Sequence, residues 1–153
     1  MFNGVYSGKK VLVTGHTGFK GSWLTTWLLE LGAEVVGFSK DIPTQPSLFE
    51  VLSLKKKITH RTGNVQNLQE VREVMDEECP DFVFHLAAQA IVSISYSNPA
   101  ETVLTNTMGT LSILEALRLY DKPCMAIFIT SDKCYENVEW VWGYRETDVL
   151  GGK

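Results

Sequence analysis

From Lys9 to Leu31 the chain reads KKVLVTG, then HTGFKG, then SWLTTWLLEL. Val11, Leu12 and Val13 form a short apolar run with two β-branched residues, the pattern of a buried strand. The final piece places Phe19, Trp23, Leu24, Trp27, Leu28 and Leu31 on one helical stripe, with Gly32 as the stop. Between strand and helix stand Gly15, Gly18 and Gly21 at three-residue spacing. A strand that turns into a helix through glycines frees the turn for positive φ and lets backbone N–H groups approach a ligand with no Cβ between. The helix N-terminus then aims its unpaired amides and partial positive charge at that ligand, which suits a phosphate. The G-x-x-G-x-x-G spacing alone is weak. With a strand before and a helix after, it predicts a dinucleotide cradle over Gly15, His16, Thr17, Gly18, Phe19, Lys20 and Gly21.

The rest of the chain repeats the alternation. Strands are expected at Glu34 to Phe38, Ile58 to Arg61, Phe82 to Leu86 and Met125 to Thr130. Ser39 to Ser47 holds two prolines and reads as a loop, followed by a short helix from Ser47 to Leu54. Asn67 caps a helix carrying Leu68, Val71, Val74 and Met75, which Pro80 stops. Asn98, Pro99 and Glu101 combine a cap, an N1 proline and a capping-box carboxylate, starting a helix that runs to about Tyr120. Strands alternating with helices at this period give an α/β, doubly wound parallel sheet with right-handed crossovers. The expected order is 3-2-1-4-5, with the most apolar strands, the first and fourth, at the centre. Chemistry then belongs to the loops at the strands' C-terminal ends, at the point where the order reverses.

Those loops supply further candidates. Asp41 lies twenty residues after Gly21, where an acidic side chain would hold the ribose hydroxyls of NAD. Ser39 and Lys40 precede it, and Lys40 would equally meet a 2′-phosphate. Asn64 and Val65 end the third strand; an amide there can bond an exocyclic amine. Leu86, Ala87, Ala88 and Gln89 follow the fourth strand. The small residues read either as room for a ribose against backbone or as a tight turn. Asn106 sits mid-helix, where Asn is a poor helix former, so its side chain is a candidate to bond backbone in the next strand or a water near the cofactor. Thr130, Ser131, Asp132 and Lys133 set hydroxyl, carboxylate and amine consecutively after the fifth strand. Apart from a solvated turn, that set offers a hydroxyl to bond a substrate OH, an acid for a leaving hydroxyl and a base for a carbon-bound proton.

The segments VLVTGHTGFKGSWL, PSLFE, HLAAQ, SYSNPAETVLTNTMGT and ITSDKCYENVEWVWGYRE together resemble the extended short-chain dehydrogenase/reductase family, in particular its sugar-nucleotide 4,6-dehydratases. The resemblance spans nearly the whole chain. It implies a Rossmann-like domain over residues 1–153, retained NAD, a sugar-nucleotide substrate and a homodimer or higher homo-oligomer formed through the helix after Pro99. It also implies oxidation at C4, loss of water across C5 and C6, and reduction at C6. Ser131 would bond the 4-oxygen, Asp132 would be the acid at the C6 hydroxyl, and Lys133 would be the C5 base or its helper. Many relatives carry Thr-Asp-Glu at this loop, and Ser131-Asp132-Lys133 marks one branch. The family's active-site Tyr-x-x-x-Lys is absent after Lys133. Tyr6 and Lys10 have that spacing but precede the first strand. The chain is therefore expected to be an N-terminal piece, inactive alone, with the later strands and a sugar-nucleotide domain missing. Other readings are an epimerase of the same family and a non-catalytic NAD-binding module.

Composition sets the outer limits. Of 153 residues 44% are hydrophobic and 21% charged, enough for one packed domain. A net charge of -4 argues against nucleic acid or an anionic membrane as partner. No stretch approaches the ~18 unbroken apolar residues of a membrane span. Three widely spaced cysteines make neither a disulfide framework nor a zinc signature, so no metal is expected and the cytoplasm is the expected location.

Overall fold

The computed structural model describes residues 1–151. Five parallel strands pair in the order β3-β2-β1-β4-β5: β1 Lys10–Thr14, β2 Glu34–Ser39, β3 Thr59–Thr62, β4 Phe82–His85 and β5 Met125–Phe128. The expected order is observed, with strand ends moved by one or two residues. The helices are α1 Phe19–Glu30, α2 Leu48–Val51, α3 Leu68–Glu78, α4 Val92–Ser97, α5 Pro99–Val103 and α6 Gly109–Leu119. Helices α5 and α6 form one rod through a π-helical turn, Leu104–Met108. The α4 turn was not anticipated, because Val92–Ser97 offers neither a cap nor a periodic stripe.

Side chains alternate along each strand, so the sheet carries a core on both faces. Leu12, Val36, Phe38 and Val83 meet α3 and α6 through Val71, Val74, Met75, Ile113 and Ala116. On the opposite face Val11, Val13, Val35 and Phe82 meet Leu28 of α1, with Tyr6 packed beside them. This layering follows from right-handed crossovers: connections running left from β1 lie on one face, and those returning to β4 and β5 lie on the other. The predicted Asn caps hold: Asn67 accepts from Gln69 N and Asn98 from Glu101 N, while Gly32, at φ +81, closes α1. The capping box does not form, because Asn98 N donates to Ile94 O and the Glu101 carboxylate instead meets Gln66, Thr105 and Lys40.

One expectation is corrected. The aromatic stripe of α1 does not face the sheet: Phe19, Trp23 and Trp27 are 72%, 55% and 48% exposed. The buried face is Gly21, Ser22, Thr25 and Leu28. The glycine turn dictates this. Ser22 donates to His16 O at 3.0 Å, and a Cβ on Gly21 would stand 2.1 Å from Gly15 O. Close backbone approach therefore selects the small-residue face, whatever the hydrophobic pattern. Trp23, Leu24 and Trp27 instead line an open groove with Leu86 and Ile129.

Candidate functional site

Register puts the site loops side by side. Thr14 is opposite both Phe38 and His85, His85 is opposite Phe128, and Ser39 is opposite Thr62. Gly15, Ser39, Gly63, Leu86 and Ile129 thus leave the sheet at one edge, and every loop singled out in the sequence begins there.

At the centre, Gly15 has φ +73, and a Cβ on it would lie 2.8 Å from Ala87 N. Positive φ and backbone contact both require glycine there. Gly18 donates to Gly15 O at 3.1 Å and starts α1 without a side-chain cap or an acidic residue in the first turn. Among the described residues, no backbone acceptor takes the N–H groups of Phe19, Lys20 or Gly21. Three orphan donors and the positive helix end therefore point out of the turn, the arrangement a pyrophosphate fits. Phe19 and Lys20 project outward. Thr17 is buried and its Oγ1 donates to Asp41 O at 2.7 Å, tying the turn to the loop after β2.

His16 is more than a turn residue. Its side chain is fully buried, with Nδ1 2.9 Å from Ser39 Oγ and Nε2 2.8 Å from His60 Nδ1. Gly37 makes room for it, since a Cβ there would sit 2.3 Å from the ring. Burial first, then the neighbouring His60, pushes His16 down to about 4, against a weaker opposing backbone hydrogen bond. His60 is lowered by burial and by Lys55. Ser39 therefore spends its hydroxyl on His16. Asp41 is exposed, and Lys40 reaches Glu101 at 3.5 Å.

Asn64 forms a local turn, its Oδ1 accepting from Gln66 N at 3.0 Å while its own N–H donates to Glu70 at 2.8 Å. Val65 is a core residue, so only its backbone faces the edge. Leu86 and Ala87 are half-buried and Ala88 is exposed. Asn106, in the π-helical turn, accepts from Gln89 N at 2.8 Å and donates to Gln89 O at 3.0 Å. Its partner is thus the loop after β4 and not the next strand, and its side chain acts by holding that loop. Thr130 and the 3-10 turn Asp132–Cys134 are exposed beyond β5. Ser131 caps that turn by accepting from Lys133 N at 3.2 Å, and the Lys133 ammonium lies 3.8 Å from Asp132.

Sequence reasoning missed His60, His85 and Thr110. His85 is buried, and burial alone pushes it down to about 4. A histidine inside the apolar run FVFHL was the available signal, because a buried polar group needs partners.

A family model described as GDP-mannose 4,6 dehydratase matches residues 12–151. The chain belongs to the GDP-mannose 4,6-dehydratase family. Within that family it is 49% identical over 147 residues to the CDP-glucose 4,6-dehydratase of Salmonella typhimurium, covering 96% of this chain and 41% of that protein. It is 34% identical to the CDP-paratose 2-epimerase of Salmonella typhi over 91% of this chain and 41% of that one. Among solved structures, UDP-glucose 4-epimerase from Thermus thermophilus, in complex with NAD, superposes with TM-score 0.80 at 28% identity, over 94% of this chain and 45% of that one. The chain thus spans under half the length of these relatives, and the fold it shares with them is Rossmann-like. Among the described residues no helix is long and apolar enough to cross a membrane.

Proposed function

We propose that this chain is the NAD-binding part of a sugar-nucleotide 4,6-dehydratase that converts CDP-glucose to CDP-4-keto-6-deoxyglucose. The observation carrying this is the uncapped N-terminus of α1 and the Ser131-Asp132-Lys133 turn at one sheet edge, in a chain half-identical to a CDP-glucose 4,6-dehydratase. The phosphate end of NAD would lie over Gly15 to Gly21. Asp41 would take the adenine-side ribose, Asn64 and the Val65 backbone the adenine, and Leu86 to Gln89 the other ribose. When bound, NAD supplies hydride transfer at the sugar carbons.

The chain's own residues handle oxygen and protons. Ser131 holds the 4-oxygen. For elimination a proton passes from the Lys133 ammonium to Asp132; Asp132 then gives it to the departing C6 hydroxyl, and the neutral Lys133 amine takes the proton from C5, which restores the ion pair. Adjacent acid and base on an exposed turn suit elimination of water, a step that a 4-epimerase does not perform. Oxidation at C4 needs an acceptor for the hydroxyl proton, and residues 1–153 hold no Tyr-x-x-x-Lys after β5; these residues alone are inactive in this reading. The partner is a second copy, meeting the outer face of α5 and α6, where Leu104, Met108, Leu111 and Leu114 are exposed.

Calorimetric titration with NAD tests the cradle. The chain should bind NAD saturably, and Gly18→Val, which sets a branched side chain where backbone meets phosphate, should weaken it at least about tenfold. Unchanged affinity in that variant would refute the placement.

A further inference from the structure

His85 stands at the end of β4, where the central strands deliver the glycine turn and the loop Leu86 to Gln89. Its hydrogen bonds fix both its charge and its tautomer. Thr14 Oγ1 accepts the N–H of Ala87 and a share of the N–H of Leu86, each at 3.1 Å; the Leu86 N–H also reaches Thr14 O at 3.2 Å. Those two bonds use both of its lone pairs, so its own hydrogen is left for His85 Nδ1, 2.8 Å away. Nδ1 is thus an acceptor, and the proton of the neutral ring sits on Nε2. From there it is given to Thr110 Oγ1 at 3.2 Å. Thr110 in turn donates to Asn106 O at 2.7 Å, and the Asn106 side chain clamps both backbone groups of Gln89.

Every link in this chain has one direction: Thr14 to His85 to Thr110 to Asn106. It begins beside Gly15, at the phosphate turn, and ends at Gln89, on the far side of the loop. The π-helical turn at Leu104–Met108 brings Asn106 to Gln89 and leaves Thr110 one turn further, under the ring. Among the described residues, no charge faces the ring. Its neighbours are Thr14 from β1, Thr110 from α6 and the Phe128 ring from β5, edge-on with centroids 5.5 Å apart.

We propose that His85 is a positioning residue: as a neutral ring protonated on Nε2, it sets the loop Leu86 to Gln89 relative to the glycine turn, and so the seat of the nicotinamide-side ribose. This rests on the NAD reading above. A protonated ring would turn a second hydrogen onto Thr14, whose lone pairs are already committed, and would push the loop from the turn. Asn106 contributes through Gln89, so neither residue needs to touch the ligand.

Two measurements test this. Nitrogen-detected NMR of the imidazoles at pH 7 should show His85 neutral with the proton on Nε2; a ring protonated on Nδ1, or charged, overturns the proposal whatever the chain binds. Thr110→Val keeps the side-chain shape but removes the acceptor. It should speed amide exchange at Leu86, Ala87 and Gln89 and weaken NAD about tenfold, the scale of one lost buried hydrogen bond. ADP, which lacks the second ribose, should bind the variant as it binds the parent chain. Equal loss of NAD and ADP, or NAD affinity and exchange both unchanged, would overturn it. If the parent chain binds neither ligand, the NAD reading fails, and the NMR and exchange results still decide whether His85 fixes the loop.

Discussion

Acidification from pH 7 to pH 5 should remove a large part of this domain's stability through two buried imidazoles. His16 and His85 are both held near 4, principally by burial, against an ordinary value of 6.5. The folded chain keeps them neutral while the unfolded chain protonates them. The unfolded state therefore binds the extra protons, so stability is full above about pH 6.5 and falls as pH drops toward about 4. At pH 5 each histidine contributes a loss of about 2 kcal/mol relative to neutral pH, and the two together about 4 kcal/mol. A domain of this size has about 5–15 kcal/mol in all, so the change is a substantial fraction. His60, also lowered, acts in the same direction.

The depressed carboxylates do not confuse this window. Asp81, held down by the Lys10 backbone N–H and by Lys9, Glu101, held by Thr105 and Gln66, and Glu115, held by Arg118, shift below their ordinary values of 3.8, 4.5 and 4.5. All three give up their contribution mainly under pH 5. Urea unfolding of the chain at pH 7, 6 and 5 measures the effect, and His85→Gln and His16→Gln assign it. Either variant is free to differ from the parent at pH 7. What matters is the difference between pH 7 and pH 5, which should shrink in each and, in the double variant, fall to the smaller part that His60 supplies. Stability equal at pH 7 and pH 5 to within about 1 kcal/mol in the parent, or an undiminished pH difference in the double variant, would refute the burial argument.

Gly21→Ala should destabilise the chain by about 3 kcal/mol or more, because its Cβ would meet the backbone at Gly15 and His16; Gly18→Ala, with only Gly15 O at 3.3 Å, should cost clearly less, about 1 kcal/mol, in the same urea assay. In the proposed full-length dehydratase, Asp132→Asn and Lys133→Met should each slow water elimination by about 10²–10⁴ while C4 oxidation proceeds. Single-turnover absorbance would then show NADH accumulating, and a collapse of oxidation instead would count against the assignment. Leu111→Glu on the exposed face of α6 should reduce self-association in sedimentation velocity, and unchanged association would place the interface elsewhere.

The glycine turn and the Asn caps were legible because each depends on near neighbours in sequence, and the strand order was legible because βα alternation and the apolarity of the first and fourth strands leave few topologies. Gly15, Gly18 and Gly21 sit on one turn, and Asn67 and Asn98 cap helices that begin at the next residue. The orientation of α1 was not legible. Its hydrophobic stripe pointed to Trp23 and Trp27, but the contact between Gly21 and Gly15 that decides the packing is a matter of backbone distance. Asn106 stood out as an awkward residue in a helix, yet its partner, Gln89, is seventeen positions away, and no periodicity links the two.

The histidines show the same limit more sharply. His16 looked like a turn residue because its neighbours are glycines and a threonine; its partners, Ser39 and His60, come from two other strands. His85 looked like one more residue of an apolar strand. Only when β1, β4 and α6 converge do Thr14 and Thr110 meet its two nitrogens. A buried imidazole with both nitrogens satisfied by neutral groups has little to gain from a proton and a full desolvation cost to bear. The fold therefore places two rings that resist charging on either side of the glycine turn. Among the described residues, the orphan amides of α1 and the exposed Lys20 remain as positive features of that edge, beside Lys40 and Lys133, which pair with Glu101 and Asp132; that balance suits a ligand whose charge is negative.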